Sequence, residues 1–471
     1  MICTSCNNAE AVVFVKTIVG NKMSQQALCA DCAAQTQQAA MAADPLDSLL
    51  SGLPPFLKLL RPAPRGRALR VLRHDLRRVP ADREARLPRL LRRLRDTAPE
   101  PHPTHPRRRE RPPGRALGDL MQLQNMLKLP VGWAKAEGPR HDIVLSSRVR
   151  LARNTTDAPF PGRSGPRALK STLDAFFRAA RGASELSSAA YIRMDGLDAV
   201  DRRLLVERHL VSPNLAESPQ ERGVVVTDRD SLSLMVNEED HLRLAALRPG
   251  LSLVDAHSSA RSTERSLARA LPFAFSKEWG YLTACPTNLG TAMRASCLVH
   301  LPALALAGLI ERLFENLSRL GLLVRGLHGE GTKVLGDFFQ ISNANALGRT
   351  ESEIIAAVDK AVGQVADREN ESRAKLLAGR GRLRVEDLVF RSAGLLQNAR
   401  VLSFEEASQH LSYLRMGHAL GWKLPGSLAL TNELGLVTQP GHVQVRAGRE
   451  LSPAERDAER ASLVREHLAG A

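Results

Sequence analysis

The sequence predicts an α+β protein with a small metal-stapled module at its N-terminus and a helical C-terminal region. Three observations carry this. Apolar strand-like runs and helical repeats are interspersed between about residues 141 and 367 without the regular alternation of a doubly wound sheet. From residue 371 onward the pattern is mainly helical, and Cys-x-x-Cys occurs twice in the first 32 residues. The expected organisation is a module over 1–45, a linker over 46–130, a catalytic domain over 131–370 and a helical domain over 371–471.

Cys3 and Cys6 are separated from Cys29 and Cys32 by 22 residues. Each pair sets two thiolates on one side of a tight turn, and two such pairs complete a tetrahedral zinc shell that a short segment with little core needs. A redox Cys-x-x-Cys and unpaired thiols are the alternatives. Ala11 to Val15 reads as a strand of a zinc ribbon, and Asp44 to Leu60 as a short amphipathic helix interrupted at Pro54-Pro55.

Between Arg61 and Arg115 stand 18 arginines, ten prolines, 6 acids and no lysine. Neither helix nor strand periodicity survives there, so the segment is expected to be disordered. It also reads as GC-rich DNA translated out of frame. Permitted codons for Leu69 to Arg92 can be written so that the neighbouring frame gives a Cys-x-x-Cys pair, 14 residues and a second pair. On that reading the chain binds one zinc rather than two. Helical spacing returns from Ala116 to Lys128 through Leu117, Leu120, Leu123 and Met126.

Ile143-Val144-Leu145, Gly223 to Val226 and Ser233 to Val236 read as strands, and Ala168 to Arg181 and Leu301 to Leu320 as helices. Ala374 to Arg400 and Ser403 to Leu420 read as mainly helical, and Thr438 to Gly441 as a turn. Pro453 opens a last helix, with Ser452 as N-cap and Glu455 closing a capping box.

The 471 residues, 43% of them hydrophobic, provide ample core for two or three domains. The longest apolar run, Cys297 to Ile310, contains His300 and is too short to span a bilayer, and no basic-then-apolar leader opens the chain. A cytoplasmic location is expected. Most of the formal charge of +16 sits in the arginine-rich segment, which lacks the interleaved aromatics that stack bases. A zinc-dependent nucleic-acid binder is therefore the weaker reading.

The chemistry gathers around Met235 to Arg243, where Glu238, Glu239 and Asp240 are followed by His241 and Arg243. Adjacent carboxylates repel unless cations or donors face them, so the run is either a solvated turn or a site. Four other stretches accompany it: Ser146 to Arg153, Cys285 to Thr291, Arg294-Ala295-Ser296, and Arg325 to Gly331. No GxxxxGK[ST] phosphate loop occurs.

With Glu238 and Glu239 these motifs resemble the phosphagen (guanidino) kinases, and their wording resembles the bacterial protein arginine kinases within that family. The resemblance runs from about Leu129 to the C-terminus. It implies a large antiparallel sheet flanked by helices, with ATP and its Mg ion held by arginines in place of a glycine-rich loop. Arg148, Arg150, Arg243, Arg294 and Arg325 match the family's phosphate-binding arginines. The matching nucleotide-binding stretches also contain Ser146, Ser147, Val149, Ala295, Ser296, Cys297, Leu298, Gly326, Leu327, His328, Gly329 and Glu330, and His209 matches the adenosine-side histidine. Glu239 matches the base that takes the proton of the acceptor guanidinium, Glu238 and Glu330 its companions, and Cys285 the thiol beside that guanidinium.

Small-molecule members of the family carry a helical lobe before the SSRVR motif, and no stretch of that kind precedes Ser146, so a protein substrate is expected. Arg456, Asp457, Arg460 and Ala461 match the RDxxRA motif by which protein arginine kinases bind phosphoarginine. The first module resembles the zinc finger of their activator protein, here fused in front, and Ala116 to Lys128 the start of its helical hairpin. The resemblance further implies a homodimer, a heat-shock repressor and a Clp-type unfoldase-protease as partners, and regulation by stress. An adaptor with a dead kinase fold is disfavoured by retention of Glu239 and the five arginines. Ala292 departs from the family, which commonly has a second glycine there, and Ala260 to Ala270 departs from a more acidic helix.

Overall fold

The computed structural model describes residues 13–19, 22–28, 131–326, 335–379 and 381–470. The four expected zinc ligands and the whole of 46–130, with its expected helices and arginine-rich segment, lie outside the described residues. β1 (Val13–Val19) and β2 (Lys22–Leu28) form an antiparallel hairpin, so the expected strand is present and runs beyond Val15.

A 3-10 turn at Gly132–Ala134 precedes β3 (Val144–Arg153), followed by α1 (Pro166–Arg181) and β4 (Ala190–Arg193). Next come α2 (Ala199–Glu207), α3 (Pro213–Glu217), β5 (Gly223–Val226), β6 (Leu232–Val236) and β7 (Leu242–Pro249). After α4 (Leu253–Ala268) a small hairpin pairs β8 (Phe275–Ser276) with β9 (Gly280–Tyr281), leading to β10 (Met293–His300). α5 (Pro302–Leu306), α6 (Ile310–Arg319), β11 (Leu322–Gly326) and β12 (Phe338–Asn343) complete this part. The remainder is helical: α7 (Glu351–Leu377), α8 (Gly381–Asn398), α9 (Phe404–Ala419), α10 (Leu428–Val437), α11 (Pro440–Ala447) and α12 (Pro453–Ala469).

Eight strands form one sheet in the order β11-β12-β10-β3-β7-β6-β5-β4, and every neighbouring pair is antiparallel. Side chains alternate between its faces. On one face Val149, Leu151, Leu244, Ala295 and Val299 pack with Leu173 of α1, Ala256 of α4 and Ile354 of α7 to make the main core. On the other face apolar contacts occur only toward the ends. Val224, Val226 and Met235 meet Leu205 and Leu215, while Leu145, Leu247 and Leu298 meet Trp133 and Leu436. The middle of that face carries arginines instead.

The helical domain has a core of its own, including Leu396, Leu402, Leu411, Leu434 and Val464. The capping box expected at Ser452 is present, with Pro453 at the first helical position. Several boundaries differ from the sequence reading, among them Ala374 to Arg400, which is divided between the end of α7 and α8. Leu301 to Leu320 is two helices, because Gly308 adopts φ +67° between them. Of Ile143 to Leu145, Val144 and Leu145 open β3, which continues through the arginines, and Ile143 precedes it. Pro440 and Gly441 start α11 rather than a turn, since proline at a helix's first position loses no bond and its φ suits the helix. Among the described residues no helix is long and apolar enough to cross a membrane.

Candidate active site

The register of the sheet decides which motif residues meet. Arg150 stands opposite Arg294 across β3 and β10, and Arg148 opposite Ser296. On β7, Arg243 is opposite Ala152, two positions beyond the partner of Arg150. Alternation therefore sets Arg148, Arg150, Arg243, Arg294, Ser296 and Leu298 on one face. Gln340 donates to Ser296 Oγ at 3.2 Å, and Arg325 is its partner across β11 and β12, so Arg325 joins the same face.

This cluster is electrostatically unfinished. Nε of both Arg148 and Arg150 is shut off from solvent and has no hydrogen-bond partner. Burial, reinforced by the charges of Arg294 and Arg243, pushes the Arg148 guanidinium down to about 10. Arg150 is held well below its usual range by burial and then by Arg148, Arg243 and Arg294, with Glu238 opposing. Several like charges at short range in a poorly solvated setting form a site for a polyanion.

The three consecutive carboxylates are separated by the β6–β7 turn, which Asn237 opens in the left-handed region with φ +62°. Glu238 turns inward, accepts from Ser212 Oγ at 2.8 Å and lies 2.6 Å from Nη1 of Arg243. Glu239 stays half-exposed, with Nη2 of Arg243 at 3.0 Å. Burial raises its pKa, and the negative charges of Asp240 and Glu238 add to that against the pull of Arg243. Asp240 is fully buried and structural: Oδ1 accepts from Asn154 Nδ2 at 2.6 Å and from the backbone N–H of Ala284 at 2.7 Å. His241 is structural too. Its Nδ1 accepts from Thr155 N–H at 3.1 Å, which puts the ring proton on Nε2, donating to Pro159 O at 2.9 Å.

Through Ala284, Asp240 ties the turn to the loop that carries Cys285, whose Sγ is 3.0 Å from Thr287 Oγ1. The same loop crosses closely over the chain at Gly290, where an added Cβ would sit 2.7 Å from the Ala346 carbonyl oxygen. Ala292 holds φ +48°, a conformation that favours glycine, which accounts physically for the glycine expected there.

Other expected residues fall elsewhere. Ser147, Val149, Ala295 and Cys297 alternate onto the core face, so their side chains are turned away from the arginines; the motifs were read as whole stretches, but a strand exposes every second residue. Cys297 is buried 3.4 Å from Ser147 Oγ, and burial pushes its thiol up to about 12. Arg153, out of phase with Arg148 and Arg150, lies buried 2.5 Å from Glu264. Leu327, His328, Gly329 and Glu330 lie outside the described residues. His209 follows α2 with φ +60°, its ring edge-on to Trp133 at 5.2 Å. In the helical domain Arg460 is buried, donating to the carbonyls of Thr438 and Leu402 and to Asp457, while Arg456 donates to Leu451 O and Ala461 is in the core.

Residues 172–372 match the ATP:guanido phosphotransferase C-terminal catalytic domain, and 382–471 match the Protein-arginine kinase McsB C-terminal domain. The protein-arginine kinase of Symbiobacterium thermophilum is 45% identical over 71% of this chain and 96% of its own length. This chain belongs to the protein-arginine kinase family. Relatives from Halothermothrix orenii and Geobacillus stearothermophilus are each 43% identical, over 74% and 71% of the chain and 99% and 93% of their own lengths. The solved structure of a lombricine kinase is 23% identical, with a TM-score of 0.44, over 53% of this chain and 71% of that one.

Sequence reading missed some of the residues that build this protein-arginine kinase site. Ser212 both caps α3, through Leu215 N–H, and orients Glu238; the Ser-Pro pair signals the cap but not the second bond. Asn154 bridges Asp240 and the backbone of His241, a role that no local pattern announces.

Proposed function

We infer that this chain is an ATP-dependent kinase that transfers the γ-phosphoryl group to the guanidinium of arginine side chains in proteins. The observation that carries the reading is the cluster of arginines on one sheet face, with the Nε atoms of Arg148 and Arg150 shut off from solvent and unpartnered, beside a carboxylate of raised pKa. Arg148, Arg150, Arg243, Arg294 and Arg325 bind the phosphates and the charge spread over the transferring group. A Mg ion bound with ATP would supply positive charge to the phosphates, held mainly by phosphate oxygens and water. Glu238, which accepts from Ser212 and pairs with Arg243, is the companion of the neighbouring base, Glu239.

Glu239 accepts the acceptor guanidinium's proton as the N–P bond forms and the bond from the γ-phosphorus to the bridging oxygen breaks; ADP leaves. A guanidinium, which holds its proton far above neutral pH, needs this orientation and proton removal to act as a nucleophile. By the resemblance of their motifs, Glu330 and Cys285 are assigned to the same guanidinium. Phosphoarginine mass spectrometry of a protein mixture with ATP tests the assignment. Glu239→Gln should keep ATP binding and lower arginine phosphorylation by roughly a thousandfold or more. Equal activity would overturn it.

The RDxxRA helix is proposed as a phosphoarginine site. Arg456 supplies a cation and Asp457 faces the ligand's guanidinium; Arg460, matched to the motif as a second cation, is buried and already donates to the Thr438 and Leu402 carbonyls and to Asp457, so its part is to hold Asp457 in place. Calorimetry with free phosphoarginine on Asp457→Ala tests this, and unchanged affinity would make α12 a charged surface. The wider reading comprises a homodimer in the cytoplasm, a heat-shock repressor and a Clp-type protease as partners, marking of substrates for degradation, and a zinc-bearing activator module at Cys3, Cys6, Cys29 and Cys32. Its support is the resemblance of the motifs.

A further inference from the structure

Arg153 ends the strand that carries Arg148 and Arg150, and the alternation of the strand turns it to the opposite face, where it is fully buried. A cation out of reach of water has to be answered by its neighbours. Its Nε lies 2.5 Å from Glu264 of α4, which also pairs with Arg261, and Arg261 in turn lies 3.4 Å from Glu351 at the start of α7. Charges of alternating sign thus tie the end of β3 to α4 and α7. This half of the guanidinium holds the fold together.

The other half points to a loop. Nη1 donates to the Thr291 carbonyl at 3.2 Å, and the guanidinium carbon stands over the Tyr281 ring, 3.4 Å from its centre, while Nη2 is buried with no hydrogen-bond acceptor. Tyr281 and Thr291 flank the loop of residues 282–290 that carries Cys285, and Tyr281 N–H donates to Gly290 O at 2.9 Å across its base. Asn154, the next residue, turns the other way. Its Nδ2 donates to Leu282 O at 3.1 Å and to Asp240, which accepts from the Ala284 N–H. Successive residues of the chain therefore grip opposite ends of one loop.

We propose that Arg153 is a positioning residue for the acceptor arginine: by clamping Tyr281 and Thr291 together it fixes the base of the 282–290 loop and sets where Cys285 stands relative to Glu239. This rests on the kinase reading, which assigns Cys285 to the acceptor guanidinium, and deepens it. One strand serves both substrates by parity, with Arg148 and Arg150 on the phosphate face and Arg153 aligning the acceptor from behind. The phosphate site does not need the clamp, because Arg294 is held by the pairing of β10 with β3, opposite Arg150. The acceptor does, since a shift of about 1 Å at a reacting group costs up to roughly a hundredfold.

Steady-state kinetics on the full chain, with ATP and an arginine-bearing peptide varied in turn, tests this. Arg153→Met combined with Glu264→Gln removes the cation together with its buried counter-charge, so no lone charge is left in the core. The KM for the peptide should rise roughly tenfold or more while the KM for ATP stays within about twofold. Glu264→Gln alone keeps the contacts to Thr291 and Tyr281 and should leave both constants within about twofold of wild type. Arg153→Lys restores a charge without the planar fork, and should raise the peptide KM only about threefold. Alkylation of Cys285 by iodoacetamide, followed by peptide mass spectrometry with no substrate present, should quicken about threefold or more in the double variant, as the released loop uncovers a half-buried thiol. An unchanged peptide KM would overturn the proposal, as would equal shifts for ATP and peptide, or an effect of Glu264→Gln as large as that of the double variant. If the double variant does not fold, Arg153→Lys decides by the same criteria. Wild-type protein that leaves the peptide unphosphorylated would overturn the kinase reading instead, and the alkylation rates then judge the clamp by themselves: equal rates would overturn it.

Discussion

The sheet and the helical domain both take arginine nitrogens out of solvent, and they treat them in opposite ways. Arg148 and Arg150 face other arginines and leave Nε without a partner. Arg415 of α9 instead donates to Asn432 Oδ1 at 2.8 Å, Asp142 O at 2.8 Å and His141 O at 2.9 Å, and its Nη1 is 2.9 Å from His300 Nδ1. Burial pushes Arg415 down to about 9, yet nearly every direction of its fork is answered by a neutral acceptor. The same side chain is a fastener where carbonyls surround it and a receptor where they are withheld. Charge count alone does not distinguish the two; hydrogen-bond accounting does.

Substituting one arginine from each set is the strongest way to break this contrast. Arg150→Leu should lower arginine phosphorylation by roughly 10³-fold, the scale of losing one transition-state donor, while the denaturant midpoint holds or rises because repulsion is relieved. A midpoint that falls as far as in the fastener variant would erase the distinction. Arg415→Leu leaves several buried acceptors unsatisfied and should lower stability by about 3 kcal/mol in urea unfolding. Stability equal to wild type would show that the fork is dispensable.

A smaller effect concerns pH. The raised pKa means Glu239 holds its proton to higher pH than a free glutamate, and only the deprotonated form accepts the substrate proton. Turnover should therefore fall on acidification, starting above the ordinary glutamate range and approaching tenfold per unit. The acidic limb should vanish from the residual activity of Glu239→Gln, and a limb that persists would assign it to another group. The smallest expected change is at Ala292. Replacement by glycine removes the Cβ strain of φ +48° and should stabilise the fold by about 1 kcal/mol, measured as a shift of the urea midpoint.

Much of this was legible in the sequence because strand parity is legible. Arg148 and Arg150 are two apart, as are Arg294 and Ser296, so each pair shares a face once the strands are recognised. The strand at Gly223 to Val226 was read with its bounds intact because a wholly apolar run beside a glycine has few other uses. Arg153 shows the limit: it looks like its motif neighbours, but one odd step sends it to Glu264 behind the sheet. Asp240 and His241 read as chemistry and turned out to be scaffolding, because their partners Asn154, Thr155 and Ala284 are far away in sequence. Only the fold brings such pairs together.

The long helix α7 has a practical consequence. Its 27 residues, roughly 40 Å at 1.5 Å each, run without interruption past residue 370, where the sequence suggested one domain would give way to the next. Its first half buries Ile354, Val358, Val362 and Val365 in the sheet's core, and further along Glu369 accepts from the N–H groups of Ala303 and Leu304. Arg373, another turn on, reaches back to Asp142 just ahead of β3. A protease or a gene truncation acting at residue 370 would therefore cut a rod rather than a hinge.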